Sequence, residues 1–302
     1  MAEVEIQEVV DAGKCTGCGG CATVCTIDAI TIKDHAVISE ECTECDACSM
    51  VCPVVDGFPE NEFDNVLLVR SGRSNMPGQD GAIVTGMIKS LLAEGHIDCA
   101  IGVTRDEGWR ATPLLITDVQ DVAKASGTKY TNAPVVSLVK DAIARYERVA
   151  VVGTPCQAHS AWLLRNSAKF REIAVIIGLF CMESFTYDLC EFISGLGIEL
   201  RSVRKMDFDK GSFVIYADDE RRIPIREIKR YAYPSCHHCR DFSAYYADIS
   251  VGSVGSPPGW STILIRTENG RALLGKVKDI EYGDANLDPV KKLSDLKRKT
   301  KA

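Results

Sequence analysis

Apolar and polar positions follow two different patterns along this chain. In the first part, residues 3–10 alternate like a short strand, and residues 29–32 and 36–38 predict a β-hairpin. Pro and Gly in residues 54–60 then predict a linker. We therefore expect a small first domain over residues 1–60.

From residue 62 to residue 302 the pattern predicts a mixed α/β domain. Two short apolar runs, at residues 148–154 and 173–179, are separated by a helical pattern, which indicates buried parallel strands. A helix is predicted from residues 80–81 to Gly95. The overall fold class is α+β or mixed α/β. Helices are expected near residues 119–125 and 134–146, strands at residues 66–69, 100–103 and 114–117, and antiparallel-like strands at residues 213–216, 223–225, 249–251 and 262–266.

Composition and charge are those of a soluble globular protein. The chain has 302 residues, of which 46% are hydrophobic and 25% charged, which suffices for about two domains. Residues 1–60 contain 12 acidic and 2 basic residues, which suits either a basic partner surface or simple solubility. We expect no nucleic-acid partner, because the basic residues 291–301 are most simply a solvated end.

The strongest chemical signal is a cysteine pattern that occurs twice. Each run has three cysteines spaced by two residues, with a fourth cysteine after three further residues. Three such thiolates wrap one iron–sulfur cube and the fourth ligates the other cube, so two runs hold two [4Fe–4S] clusters crosswise. Zinc sites prefer two separated CxxC pairs, which disfavours a zinc or disulfide framework. The predicted ligand sets are Cys15, Cys18, Cys21 and Cys52 for one cluster, and Cys25, Cys42, Cys45 and Cys48 for the other.

Four further cysteines form a candidate third metal site. Cys156 and Cys181 each follow an apolar strand, and Cys236 and Cys239 make a CxxC pair. Open α/β sheets place ligands at the carboxyl ends of their strands, so one fold can bring these four side chains together. A third [4Fe–4S] cluster, a structural zinc, a redox CxxC pair and simple burial of the first two cysteines all fit the residues alone.

Several motifs occur in the order typical of one protein family. They are QDGAIVTG at residues 79–86, GTKYT at 127–131, TPCQ at 154–157, FCME at 180–183, KGSF at 210–213 and ADISVGSVG at 247–255. With these motifs, residues 64–275 resemble the family of coenzyme F420-reducing hydrogenase beta subunits. Because the two-cluster first domain is attached, the chain is most similar within that family to the input subunits of F420H2 dehydrogenases.

The resemblance implies a ferredoxin-like domain followed by a flavoprotein domain that binds FAD and takes coenzyme F420 as substrate. It also implies that Cys156, Cys181, Cys236 and Cys239 hold a third [4Fe–4S] cluster. The implied activity is an oxidoreductase: a hydride passes between coenzyme F420 and FAD, and single electrons pass through three clusters to or from a partner. No catalytic side chain is expected, because positioning the cofactors is sufficient.

With the resemblance, three segments are candidate FAD sites, although each taken alone is better explained as a structural turn. The first precedes a helix, whose N-terminus suits a pyrophosphate; the second offers amides, a cation and hydroxyls; the third follows a strand and permits close backbone approach. No GxGxxG motif follows a strand, which disfavours a Rossmann NAD site. Arg73 and Lys129 are candidate cations for the acidic deazaflavin. The candidate FAD residues are Asp80, Gly81, Ala82, Ile83, Thr85, Gly127, Thr128, Lys129, Tyr130, Thr131, Gly252, Ser253, Val254, Gly255 and Ser256.

Reduced thiolates and the absence of a recognisable secretion signal predict a cytoplasmic protein without direct membrane insertion, peripheral at most to a membrane complex. The expected partners are an F420H2 dehydrogenase, a heterodisulfide reductase or a ferredoxin, with a hydrogenase or formate dehydrogenase as further alternatives. A rival of another class is a non-catalytic electron relay whose second domain holds a structural zinc. That rival leaves some 240 residues without a role.

Overall fold

The computed structural model describes residues 5–301, and an eight-stranded mixed sheet lies at the centre of the second part of the chain. The strands in the described residues are β1 (Ile30–Ile32), β2 (Ala36–Ile38), β3 (Leu68–Ser74), β4 (Cys99–Arg105), β5 (Ala111–Ile116), β6 (Val149–Gly153), β7 (Ile173–Leu179), β8 (Lys205–Asp209), β9 (Ser212–Tyr216), β10 (Glu220–Pro224), β11 (Ile249–Gly252), β12 (Ser261–Ile265) and β13 (Ile280–Gly283). The α-helices are α1 (Ile6–Asp11), α2 (Gly20–Val24), α3 (Pro53–Asp56), α4 (Ile83–Ala93), α5 (Val139–Ile143), α6 (Pro155–Asn166), α7 (Asp188–Gly195), α8 (Ile225–Ile228), α9 (Glu268–Leu274) and α10 (Leu287–Thr300).

The central sheet has the strand order β13-β3-β12-β11-β7-β6-β4-β5. Strands β4, β6, β7 and β11 are parallel to one another, and the remaining neighbours pair antiparallel. The predicted buried parallel strands are therefore confirmed for β6 and β7, whose apolar runs are covered on both faces. Because β3 has the same direction as β11, the carboxyl ends of β3, β4, β6, β7 and β11 lie along one edge of the sheet.

Two apolar layers cover the faces of this sheet. On one face, Leu164 of α6 packs with Val151 and Ile176. On the other face, Ile83 and Met87 of α4 pack in a second cluster; they lie four residues apart and so share one side of the helix. The prediction of a helix following residues 80–81 and ending near Gly95 is confirmed.

A separate three-stranded antiparallel sheet, β10-β9-β8, packs over its own core around Phe185 and Phe213. The antiparallel prediction is confirmed for β9 and β10, whereas β8 was not predicted. The prediction was only half right for residues 249–251: β11 is antiparallel to β12 but parallel to β7, which places it inside the central sheet.

The first part of the chain contains the predicted hairpin, with Ile30 opposite Ile38. The strand predicted for residues 3–10 was wrong where the structure describes it, since Ile6–Asp11 is a helix; residues 3 and 4 lie outside the described residues. Ile6 and Val9 are three residues apart, and the helix buries both on one side.

The first part packs directly against the α/β part. Ser160 Oγ of α6 donates to Val51 O over 2.9 Å, and Thr23 Oγ1 donates to Val136 O over 2.6 Å. Val51 also belongs to the same apolar cluster as Leu164 of α6. The division at residues 60–62 stays a prediction.

Two predicted helices take a tighter form. Residues Val119–Ala125 form a 3-10 helix, and the region predicted as one helix over 134–146 splits into a 3-10 segment, Val135–Leu138, and α5. Ser137 Oγ donates to Pro134 O over 2.6 Å, a local bond that competes with a regular helical start. The strand predicted at residues 66–69 runs instead from Leu68 to Ser74, because both β12 and β13 pair with it.

The prediction of a solvated basic end was wrong. Residues 291–300 belong to α10, which packs back onto the protein. Val290, Ser294 and Lys297 lie on one side of this helix and are at most 2% exposed. Charge alone cannot reveal this, because a lysine in a basic segment is usually solvated. Within residues 5–301 no helix has the length and apolar character that a membrane crossing requires.

Candidate functional site

The first predicted cysteine quartet surrounds a small cavity. Cys15, Cys18, Cys21 and Cys52 all line it. Burial raises the pKa of the Cys52 thiol to about 12, and the neighbouring charge of Cys18 contributes to that rise. The structure thus brings together the four side chains that the spacing predicted as one ligand set, including the distant Cys52.

The second predicted quartet lies nearer the surface. Burial raises the pKa of the Cys48 thiol, and the nearby Cys42 and Cys45 add to the rise. Cys45 is exposed, and the Cys25 sulfur accepts a hydrogen bond from the Ala29 amide over 3.3 Å. The three clustered cysteines are therefore neighbours, while the ligand role of Cys25 stays a prediction.

Four cysteines from three separate regions line one larger cavity of about 570 Å³. Cys156 is the second residue of α6, directly after β6. Cys181 follows the end of β7, and Cys236 and Cys239 come from a 3-10 turn and the residues beyond it. The carboxyl edge of the sheet thus brings together the predicted third quartet.

Hydrogen bonds hold the loop that carries Cys181 against the loop that carries Cys236 and Cys239. Cys181 N donates to Phe242 O over 2.9 Å. Ser184 N donates to the Cys236 sulfur over 3.3 Å, and Tyr233 N donates back to Ser184 O over 2.8 Å. These bonds fix the relative positions of the two loops.

The protein environment of this third quartet disfavours free thiolates. Burial raises the pKa of Cys181 to about 12 and that of Cys236 to about 11. Metal binding requires deprotonated thiols, so the site needs positive charge to hold them in that form. Across residues 5–301, no three His, Cys, Asp or Glu side chains converge closely enough for a single metal ion. Four thiols around one cavity suit an iron–sulfur cube, and the third cluster stays a prediction.

The first two candidate FAD segments lie side by side. Gln79 joins them: its Oε1 accepts from Thr128 N over 3.0 Å, while its Nε2 donates to Met206 O over 3.2 Å. In the first segment, Asp80, Gly81 and Ala82 have φ of 45°, 81° and 49°, which is left-handed backbone. Such strain persists only where the surroundings hold it, and it is common at ligand clamps.

The structure also connects the third candidate segment to the first. Ser261 Oγ donates to Asp80 O, and the neighbouring Thr262 shares a 2.7 Å hydroxyl hydrogen bond with Ser256. A Cβ on Gly81 would lie 2.8 Å from the carbonyl oxygen of Gly259, so this close approach requires glycine. The three segments predicted from separate motifs therefore belong to one continuous region at the carboxyl edge of the sheet.

Comparison with known proteins gives three family matches. One model, for the N-terminal part of the coenzyme F420 hydrogenase/dehydrogenase beta subunit, matches residues 66–140, and a second, for the C terminus of the same protein, matches residues 146–288. A 4Fe–4S binding domain model matches residues 8–31. One subunit of the F420H2 dehydrogenase of Methanosarcina mazei is 42% identical over 323 residues, covering 99% of this chain and 93% of the relative. The chain belongs to the family of coenzyme F420 hydrogenase/dehydrogenase beta subunits.

Two further relatives support the same family assignment. The coenzyme F420 hydrogenase beta subunit of Methanococcus voltae is 38% identical, covering 74% of this chain and 86% of the relative. A solved chain of the F420-reducing [NiFe] hydrogenase complex from Methanosarcina barkeri superposes with a TM-score of 0.75 at 31% identity. That superposition covers 81% of this chain and 93% of the solved one. The mixed α/β fold and the attached ferredoxin domain are thus confirmed.

The two cations predicted for the deazaflavin already have partners in this family member. Lys129 Nζ donates to the carbonyl oxygens of Ala125, Ser126 and Gly127 at 2.7, 2.7 and 3.1 Å, which uses all three of its donors. Arg73 pairs with a carboxylate of β13 and is half exposed. Lys129 therefore stabilises its own loop, and the cofactor roles of both residues stay predictions.

The sequence reasoning missed two residues beside the third quartet. Lys297 of α10 lies against the cavity, and its Nζ donates to Cys181 O and Asp241 O, each over 2.8 Å. His159, one turn after Cys156, is 3% exposed and hydrogen-bonds Asp56 Oδ2 over 2.7 Å. The periodic Val290-Ser294-Lys297 spacing was a signal for α10, but nothing in the sequence indicates which lysine is buried.

His159 predicts a pH dependence of stability. Burial lowers its pKa from 6.5 to about 4, although the bond to Asp56 opposes this shift. Below pH 6.5 the unfolded chain therefore binds a proton at His159 that the folded chain does not bind. As the pH falls from 6.5 to about 4, the free energy of unfolding decreases. A His159→Gln variant should lose this component, so its unfolding midpoint should decline less than that of the wild type. Anaerobic denaturant unfolding of both proteins in the same buffers measures it, and parallel pH profiles would contradict the assignment.

Proposed function

We propose that this chain is an F420-dependent oxidoreductase subunit that holds FAD and three [4Fe–4S] clusters. It would exchange a hydride with coenzyme F420 and single electrons with a partner complex. The observation that carries the proposal is the position of the third quartet beside the first. The cavity at Cys156 is also lined by Lys14, Thr16 and Pro53, which flank the ligands Cys15 and Cys52.

Electrostatic interactions also support the adjacency of the first and third quartets. The charge of Cys18 contributes to the raised pKa of Cys156, after burial and the effect of Cys239. A backbone bond from Val136 N to Cys18 O, 2.9 Å long, fixes the first quartet against the α/β part. An electron path from the α/β part to the surface at Cys45 would therefore run through the third quartet, then the first and then the second.

The groups expected at these sites supply complementary chemistry: FAD exchanges hydrides and single electrons, and iron–sulfur clusters carry single electrons. The protein's own task is to hold them in fixed positions and keep bulk water out. The sheet serves this task, because the first and third candidate FAD segments and Cys156 and Cys181 all follow strands that end at the same edge. No side chain has to form a covalent bond with substrate.

The relatives' names support coenzyme F420 as the substrate, since both the dehydrogenase subunit and the hydrogenase subunits are named for it. They also support a multi-subunit partner complex. The acidic first domain and the exposed Cys45 suit a partner with a basic docking surface, and this surface would receive or supply the electrons.

The third quartet can be tested by removing one ligand. A Cys236→Ala variant should fall from about twelve irons per chain to about eight, because one cube of four is lost. It should keep its FAD but lose electron transfer from reduced coenzyme F420 to the first-domain clusters. Iron and flavin analysis after anaerobic purification, followed by reduction with the coenzyme, measures both.

A matched control is Cys190→Ala, a cysteine that is 1% exposed in the core of the small sheet. This variant should keep the wild-type iron content. Eight irons in the wild type, together with zinc and no flavin, would contradict the proposal and favour the ferredoxin-like relay. Equal iron in Cys236→Ala and the wild type would contradict the ligand role.

The FAD site can be tested at Gln79, which joins two candidate segments. A Gln79→Ala variant loses the hydrogen bonds to Thr128 N and Met206 O, worth about 1–2 kcal/mol together, so FAD should bind about 5- to 30-fold more weakly. Fluorescence titration of the deflavinated protein with FAD measures the affinity. Gln120→Ala, an exposed glutamine in the 3-10 helix Val119–Ala125, is the control and should bind FAD normally. Unchanged affinity in Gln79→Ala would argue against this location.

A further inference from the structure

The most unusual buried charge in the described residues is that of Lys297. Its side chain is among the largest that are fully buried, and only 1% of the residue is exposed. Both of its hydrogen bonds to oxygen go to backbone carbonyls, those of Cys181 and Asp241, and neither goes to a carboxylate. The buried Asp241 carboxylate instead accepts from Tyr245 N over 3.0 Å.

An ammonium group buried in this way is costly unless negative charge lies close by. Two of its three N–H donors are used by the carbonyls. The Cys239 sulfur lies 3.6 Å from the same Asp241 O, and Cys181, Cys236 and Cys239 line one cavity together with Lys297. Once its thiolates hold a cluster, the third quartet therefore supplies negative charge beside this ammonium, in addition to the Asp241 carboxylate.

The other cations of the C-terminal segment near the cavity are differently placed. Lys301 pairs with Glu183 over 2.6 Å, so its charge is balanced. Arg298 donates to the carbonyl oxygens of Glu60 and Pro59 at 2.8 and 2.6 Å and is one-quarter exposed. Among these three residues, Lys297 is the one that is fully buried and donates a hydrogen bond to a residue of the quartet, at Cys181 O.

The helix that carries Lys297 is held rigidly at this point. Ser294 Oγ donates to Glu62 Oε1 over 2.6 Å, and Glu62 in turn accepts from the amides of Phe242 and Ser243 at 2.9 and 2.6 Å. These bonds tie α10 to the loop that follows Cys239. The ammonium is thus fixed relative to the quartet and is not free to turn towards solvent.

We propose that Lys297 raises the reduction potential of the cluster held by the third quartet. The inference rests on the proposed function, because it requires that cluster. A cluster with four thiolate ligands is net negative and gains one further negative charge when one electron enters it. A fixed cation and a hydrogen bond to a ligand sulfur both stabilise the reduced form more than the oxidised form. The C-terminal helix therefore sets how readily this centre accepts an electron from the flavin.

The test is a potentiometric titration of the full-length holoprotein, followed by electron paramagnetic resonance. The signal that changes in Cys236→Ala identifies the third centre. Lys297→Met should move the midpoint potential of that signal to a more negative value and leave the other two centres unchanged. Lys291→Met, which removes an exposed lysine of the same helix, is the control and should shift none of them.

The outcomes distinguish this inference from the proposed function. If the wild type contains only eight irons, it holds no third cluster, and both proposals are overturned. Twelve irons with an unshifted potential in Lys297→Met would overturn only the role of Lys297. If Lys297→Met loses the third cluster, Lys297→Gln replaces it, because glutamine keeps an N–H donor but not the charge. A negative shift in that variant supports the inference, whereas loss of iron in both variants would make Lys297 a structural part of the site and overturn it.

Discussion

The free-energy cost of burying cysteine thiolates is the main constraint on this structure. Each buried quartet of thiols is stable as thiolates only when a positively charged group lies among them. In the third quartet burial raises the pKa of Cys181 to about 12, so the bare cavity favours the protonated form. The fold opposes this cost in two ways: it brings four sulfurs to one cavity large enough for a cube, and it places the ammonium of Lys297 beside them.

The central sheet makes this arrangement possible. Cys156 and Cys181 reach the same cavity because β6 and β7 are adjacent and parallel, so both strands end at one edge. The same edge carries Asp80 and Gly252, which links the candidate flavin site to the cluster site through strand order alone. The first domain packs onto α6, the helix that contains Cys156 in its first turn, and in this way the predicted first and third cluster sites become neighbours.

Much of this could be predicted from sequence, for identifiable physical reasons. The first quartet follows from local cysteine spacing, and the buried strands β6 and β7 follow from their uninterrupted apolar runs. The α1 helix was misread because six residues are too few to separate period 2 from period 3.6. Lys297 could not be predicted, since its burial depends on long-range contacts of α10 with Glu62 and Cys181. The same is true of Gln79, whose role is to join two motifs that lie 49 residues apart.

In the proposed function, this one chain converts a hydride from coenzyme F420 into single electrons. The most direct measurement is an anaerobic absorbance titration of the purified protein with reduced coenzyme F420, without any partner present. The flavin absorbance and the iron–sulfur absorbance should both bleach while the coenzyme is oxidised. Clusters that dithionite reduces but that reduced coenzyme F420 leaves unchanged, in protein that contains its flavin, would contradict it.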